Sequence, residues 1–188
     1  NVSRSYLQAD HNVKKISSHI TKKVADKLEE IFKKDRPDFE AKWDDIKIFV
    51  QYGMISDEKF YDKAAEFALV KNTEAKAFTL EEYEAHVKAN QTDKDGKVVY
   101  LYATNMDEQH TYIDAAKSRG YDVLLMDSPL DSHLINYLES KLNNTQFVRV
   151  DSDTVEKLIK KDDGQVSKLT EDEQTKLKPV VEGVVAKE

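Results

Sequence analysis

Three short apolar runs limit the folds open to this chain more than any other feature. They are Val98 to Ala103, Asp122 to Met126 and Gln146 to Val150. Short runs without polar alternation are typical of strands that are covered on both faces. The segments between them carry apolar residues at helical spacing, and Gly120 stands where it can end the first helix in a left-handed conformation. The order strand, helix, strand, helix, strand predicts a right-handed βαβαβ unit with a parallel sheet.

The first half of the chain has a helical period instead. Apolar residues recur every three or four positions from Val13 to Phe32 and again from Phe39 to Val50, which predicts a helical hairpin whose second helix ends at Gly53. A third amphipathic stretch covers residues 57–70. The segment Thr79 to Glu82 has the sequence of a capping box, so a short helix begins there. The predicted fold class is α/β, with a helical hairpin region followed by a small three-layer α-β-α unit that has a mainly parallel three-stranded βαβαβ sheet.

Composition excludes several classes of function. The 188 residues include 29 Lys and Arg against 36 Asp and Glu, a net charge of −7. A negative surface repels polyanions, so no nucleic acid partner is expected. No run approaches the roughly 18 apolar residues of a membrane span, so no membrane partner is expected. Cysteine is absent, which excludes thiol catalysis and fits a cytoplasmic location. The histidines do not cluster, and no metal site is predicted.

One aspartate stands where α/β proteins bind ligands. Asp127 follows the second predicted strand, at the position of the phosphoacceptor in bacterial receiver domains. A receiver also needs an acidic pair after its first strand to hold magnesium, but Thr104 and Asn105 stand there. The simpler interpretation is that Asp127 and Ser128 cap the next helix. A phosphoreceiver-like switch at Asp127 remains an alternative function.

The chain begins with the octet NVSRSYLQ, and this octet closely resembles the NVSRE-x-LQ segment of the heat shock protein 90 family of molecular chaperones, in its bacterial type. In that family a long amphipathic helix, a second helix with an aromatic residue, and a strand-helix-strand-helix segment follow. The matching segments here are VKKISSHITKKVADKLEEIF, FEAKWDDIKIFVQYGMISD and VVYLYATNMDEQHTYIDAAKSRGYDVLLMDSPLDSHLINYLES. The resemblance extends from Asn1 to at least Val150, and we expect the chain to be a piece of a longer protein.

The resemblance implies three parts. Residues 1–92 are expected to be the helical segment of the chaperone middle domain, beginning with the catalytic-loop octet. Residues 93–150 are expected to form the small α-β-α subdomain. Residues 151–188 are expected to be a charged linker and the start of the C-terminal dimerisation domain. The chain would thus be the C-terminal portion of the middle domain.

The resemblance also implies two catalytic residues, Arg4 and Gln8. In the family the corresponding side chains reach the ATP held in the N-terminal domain, and the arginine contacts the γ-phosphate. Residues four apart share a face if the segment is helical, and arginine suits the charge on a transferring phosphoryl group. ATP and magnesium are expected to bind mainly outside this chain, so the chain alone should bind neither and be inactive. Ser5 departs from the family, which usually has glutamate there.

The helix after Asp131 is a client-facing surface in bacterial members of the family. Its matching positions are Ser132, His133 and Asn136, although an acidic and an aromatic residue are common at the first two. The resemblance therefore implies an ATP-dependent chaperone of the stress response. Its expected partners are unfolded or partly folded clients, its own N-terminal ATPase and C-terminal dimerisation domains, and a second copy in a homodimer. A non-catalytic protein interaction module is the other alternative.

Overall fold

This computed structural model describes residues 2–161, which contain seven helices and five strands. Side chains are described from Lys15 onward. The elements in chain order are α1 (Val2–Lys34), α2 (Arg36–Ser56), α3 (Glu58–Ala64), β1 (Leu69–Lys71), β2 (Ala77–Thr79), α4 (Leu80–Val87), β3 (Val98–Ala103), α5 (His110–Ser118), β4 (Val123–Leu125), α6 (Asp131–Lys141), β5 (Thr145–Arg149) and α7 (Val155–Leu158). Residues 162–188, where the start of a dimerisation domain is predicted, lie outside the described residues.

The three predicted strands form one parallel sheet in the order β4-β3-β5. The central strand β3 is buried on both faces, as its unbroken apolar sequence predicts. Tyr100 packs with α2, α3, α4 and α6 in the larger core cluster, whereas Leu101 packs with α5 and α7 in the smaller one. Helices therefore cover both faces of the sheet, and the predicted α/β fold with a three-layer α-β-α unit is confirmed.

The second helix continues beyond its predicted end. The sequence predicts a stop at Gly53, but α2 runs to Ser56, so that prediction is wrong. A Cβ atom at Gly53 would lie 2.7 Å from Cε1 of Phe60, which belongs to α3. Glycine is needed here because α2 and α3 approach closely, and it ends no helix.

A small antiparallel hairpin was not predicted from the sequence. The third helix stops at Ala64, well before the predicted end of its amphipathic stretch at residue 70, and β1 then pairs with β2. Ala75 takes a left-handed φ of 60° in the turn, and the Asn72 carboxamide oxygen accepts the amides of Glu74 and Lys76 at 3.0 and 2.9 Å. Two three-residue strands are too short to show a period, so the sequence carries little signal for them.

Candidate functional site

The octet that carries the family resemblance lies in the first helix. Its backbone is helical from Val2 onward, so Arg4 and Gln8 are about one helical turn apart along the helix. Their side chains lie outside the described part of the structure.

The three residues predicted to contact clients lie together on the exposed face of α6. Ser132, His133 and Asn136 are all exposed, while Leu134 and Leu138 of the same helix are buried in the larger core cluster. The neighbouring exposed positions of α6 are Glu139 and Ser140. This face therefore offers hydrogen bonds and charge to a partner, and little apolar surface.

A buried polar network holds the start of α6. Asp131 is 4% exposed, and its Oδ2 accepts the backbone amide of Ser128 at 2.7 Å. Its Oδ1 accepts Nε2 of Gln51, a buried residue of α2, at 2.8 Å. The Ser128 hydroxyl donates to Oε1 of Gln51 at 3.2 Å. Burial raises the pKa of the Asp131 carboxyl above its ordinary value of 3.8.

The carboxylate of Asp127 forms an ion pair and does not cap a helix. Its Oδ1 accepts Nζ of Lys47 at 3.1 Å. The N-cap residue of α6 is Leu130, and no side chain caps the helix, so the prediction that Asp127 and Ser128 cap α6 is wrong. Beyond the end of β3, the Gln109 side chain accepts the amides of Thr104 and Asn105. Among the side chains that the structure describes, in residues 15–161, no group of three or more acidic or histidine side chains is arranged to hold a metal ion.

A second carboxylate, that of Asp122, forms contacts with elements that lie far apart in the sequence. Asp122 accepts Nδ2 of Asn72 at 2.9 Å and the hydroxyl of Tyr83 at 3.2 Å, and it lies 3.1 Å from Nε2 of His86. Burial and the neighbouring Asp122 carboxylate raise the pKa of Tyr83 well above its ordinary value of 10.0. The hairpin, α4 and the start of β4 are thereby fixed to one another.

An ion pair links the helical hairpin to α4. Both Nη atoms of Arg36 donate to the carboxylate of Glu82, the Nη2 bond being 2.7 Å long, and Nε donates to Glu40 at 2.7 Å. Glu82 also completes the predicted capping box with Thr79, which the structure confirms. The Arg36 guanidinium is the main reason why the pKa of Glu82 falls from 4.5 to about 2.

Exposed apolar side chains concentrate on the helical hairpin. Phe49 and Tyr52 of α2 are 75% and 65% exposed. Phe49 lines an apolar groove of about 210 Å³ with Ile20 and Val24 of α1, which are also largely exposed.

No helix within the described range is long and apolar enough to cross a lipid bilayer.

The comparisons with known proteins agree with the resemblance of the octet. The sequence profile described as "Hsp90 protein" matches residues 1–187. The chain belongs to the Hsp90 family. Chaperone protein HtpG of Porphyromonas gingivalis is 56% identical over 177 residues, which is 94% of this chain and 26% of that protein. HtpG of Bacteroides fragilis is 59% identical over 163 residues, 87% of this chain and 24% of that protein.

The fold also agrees with an Hsp90-family structure. The middle domain of a Plasmodium falciparum heat shock protein superposes with a TM-score of 0.58 at 15% identity, covering 74% of this chain and 58% of that one. At this identity the likeness shows the fold alone. The chain spans about a quarter of the length of the curated Hsp90 relatives that it matches.

Proposed function

We propose that this chain acts as part of an ATP-dependent molecular chaperone of the stress response. The observation that carries the proposal is the Hsp90 match over residues 1–187, which begins at the octet containing Arg4 and Gln8. These two residues contact the ATP of an N-terminal ATPase domain, and Arg4 stabilises the charge on the γ-phosphate. A fixed, always charged guanidinium is well suited to that role.

The helical start of the chain supports this role for Arg4. α1 extends over 33 residues, and its C-terminal half is held by α3 through Lys63, which pairs with Asp26 at 3.1 Å and Glu29 at 3.5 Å. A continuous helix transmits the position of its anchored end to the octet. Turnover of ATP by the full-length protein after substitution of Arg4 tests the proposal, because a non-catalytic interaction module would keep its full activity.

The nucleotide itself belongs mainly to the ATPase domain. ATP and magnesium bind there, and the 188 residues alone hold neither. Calorimetry should therefore show no heat of ATP binding to this chain, because one arginine and one glutamine cannot replace a complete nucleotide pocket. Micromolar affinity of the isolated chain for ATP would contradict the proposal that the nucleotide binds mainly to the ATPase domain.

The exposed face of α6 contacts unfolded or partly folded client proteins. Ser132, His133 and Asn136 lie on that face, and its polar character favours hydrogen-bonded client segments over purely apolar ones. In the complete chaperone the other partners are its own N-terminal and C-terminal domains and a second copy, in a cytoplasmic homodimer. Replacing the three residues by alanine should weaken binding of reduced, carboxymethylated α-lactalbumin while ATP turnover persists.

A further inference from the structure

Two kinds of contact hold α6 on the rest of the molecule, apolar packing and the hydrogen bonds of its first turn. Leu134 and Leu138 pack against Trp43 and Met54 of α2, and such contacts are non-directional. The hydrogen bonds of Asp131 are directional, and they tie the helix start both to its own preceding loop and to Gln51 of α2.

We propose that Asp131 and Gln51 are positioning residues for the client-facing helix. They fix the first turn of α6 to α2, and they thereby set where Ser132, His133 and Asn136 stand relative to the helical hairpin. The inference rests on the proposed client-binding role of α6.

The chemistry of the network supports a role beyond ordinary packing. Asp131 is buried, yet it has no ion pair within 4.0 Å among the described residues, and its partners are a neutral amide and a backbone N–H. A buried carboxylate without a cation is costly, and an apolar side chain would fill the same space more cheaply. What the carboxylate adds is a fixed geometry between two helices.

The charged groups around Asp131 form ion pairs with one another and not with Asp131. From α2, Lys47 pairs with Asp127 at 3.1 Å and lies 3.8 Å from Asp44. From β1, Lys71 pairs with Asp44 at 2.7 Å. Together with Asp131, the residues Asp44, Lys47 and Lys71 line a cavity of about 30 Å³. Lys47 still favours the charged form of Asp131, but burial has the larger effect on its pKa.

A neutral side chain of the same shape separates the geometry of this network from its charge. Asp131→Asn should keep the Ser128 bond and, after rotation of the Gln51 amide, donate to Oε1 of Gln51.

The test uses the full chain with Asp131→Ala, Gln51→Ala and Asp131→Asn. The matched control is Asp114→Asn, which changes an exposed aspartate of α5 in the same way. The readouts are amide hydrogen exchange at Leu134 and Leu138 and affinity for reduced, carboxymethylated α-lactalbumin. Both alanine variants should exchange at least about fivefold faster in α6 and bind the client several-fold more weakly. Asp131→Ala leaves the buried Gln51 amide without an acceptor, and Gln51→Ala leaves the buried Asp131 carboxylate without its side-chain donor.

Asp131→Asn and the control should retain client affinity. Unchanged client affinity in both alanine variants would overturn the inference if alanine at Ser132, His133 and Asn136 still weakens binding. If that triple variant binds normally, the client role of α6 itself is wrong, and the inference falls with it.

Discussion

The link between Arg36 and Glu82 should make a measurable contribution to stability that depends on pH. Glu82 accepts two bonds from the guanidinium and one from the Thr79 amide at 2.9 Å. A fall of its pKa from 4.5 to about 2 corresponds to about 3 kcal/mol for a group sealed from water. Because 43% of the side chain is exposed, solvent screening reduces this figure, and we expect Glu82→Gln to cost about 1–2 kcal/mol at pH 7.

The sign of the pH dependence follows from the lowered pKa. Stability from Glu82 is present above its ordinary pKa of 4.5 and is lost as the pH falls towards about 2. Urea unfolding between pH 7 and pH 2 should show this component in the wild type and not in Glu82→Gln. The matched control is Glu84→Gln, which breaks an exposed pair with Lys88 on the same helix and should cost less than about 0.5 kcal/mol.

A double-mutant cycle isolates the pair from its surroundings. Substitution of Arg36 by methionine, alone and together with Glu82→Gln, should give a coupling free energy of about 1 kcal/mol, because the contact is bidentate and partly shielded. A coupling below about 0.3 kcal/mol would refute the view that this pair holds the helical hairpin on α4.

Three further predictions test the packing, the Asp122 network and the alternative function. Gly53→Ala should destabilise the protein by about 1–3 kcal/mol in urea unfolding, because the new Cβ meets the Phe60 ring, and Phe60→Leu should restore part of that loss. Tyr83→Phe should cost about 1 kcal/mol in the wild type but much less in an Asp122→Ala background, since the hydroxyl donates to that carboxylate and alanine offers no acceptor. Acetyl phosphate should leave the mass of the protein unchanged; a phosphoryl adduct at Asp127 would favour the receiver alternative.

Much of the fold could be predicted from the sequence where a local residue pattern has a single structural explanation. The unbroken apolar run of β3 requires cover on both faces, and the structure provides it. Gly120 ends its helix with a φ of 75°, as a left-handed residue should. The capping box at Thr79 needs only residues three apart, so it is visible in the sequence.

Features that depend on distant contacts could not be predicted. Gly53 looks like a helix end until the ring of Phe60 is placed beside it. Asp122 meets its side-chain partners across 36 to 50 residues of sequence, and Gln51 meets Asp131 across 80. No local pattern encodes these pairs. The helix that carries the client-facing residues was predicted, but the network that holds it was not.

The most direct test of the account is the ATP turnover of the full-length protein with Arg4 replaced. Arg4→Ala should lower kcat by about 10³- to 10⁵-fold while the affinity for ATP stays within a few-fold of the wild type, because an arginine finger acts on the transition state. Arg4→Lys should recover only part of the rate, since a lysine is not a bidentate donor. Lys22→Ala, an exposed lysine of α1, should retain full turnover. Wild-type turnover in Arg4→Ala would contradict the central claim.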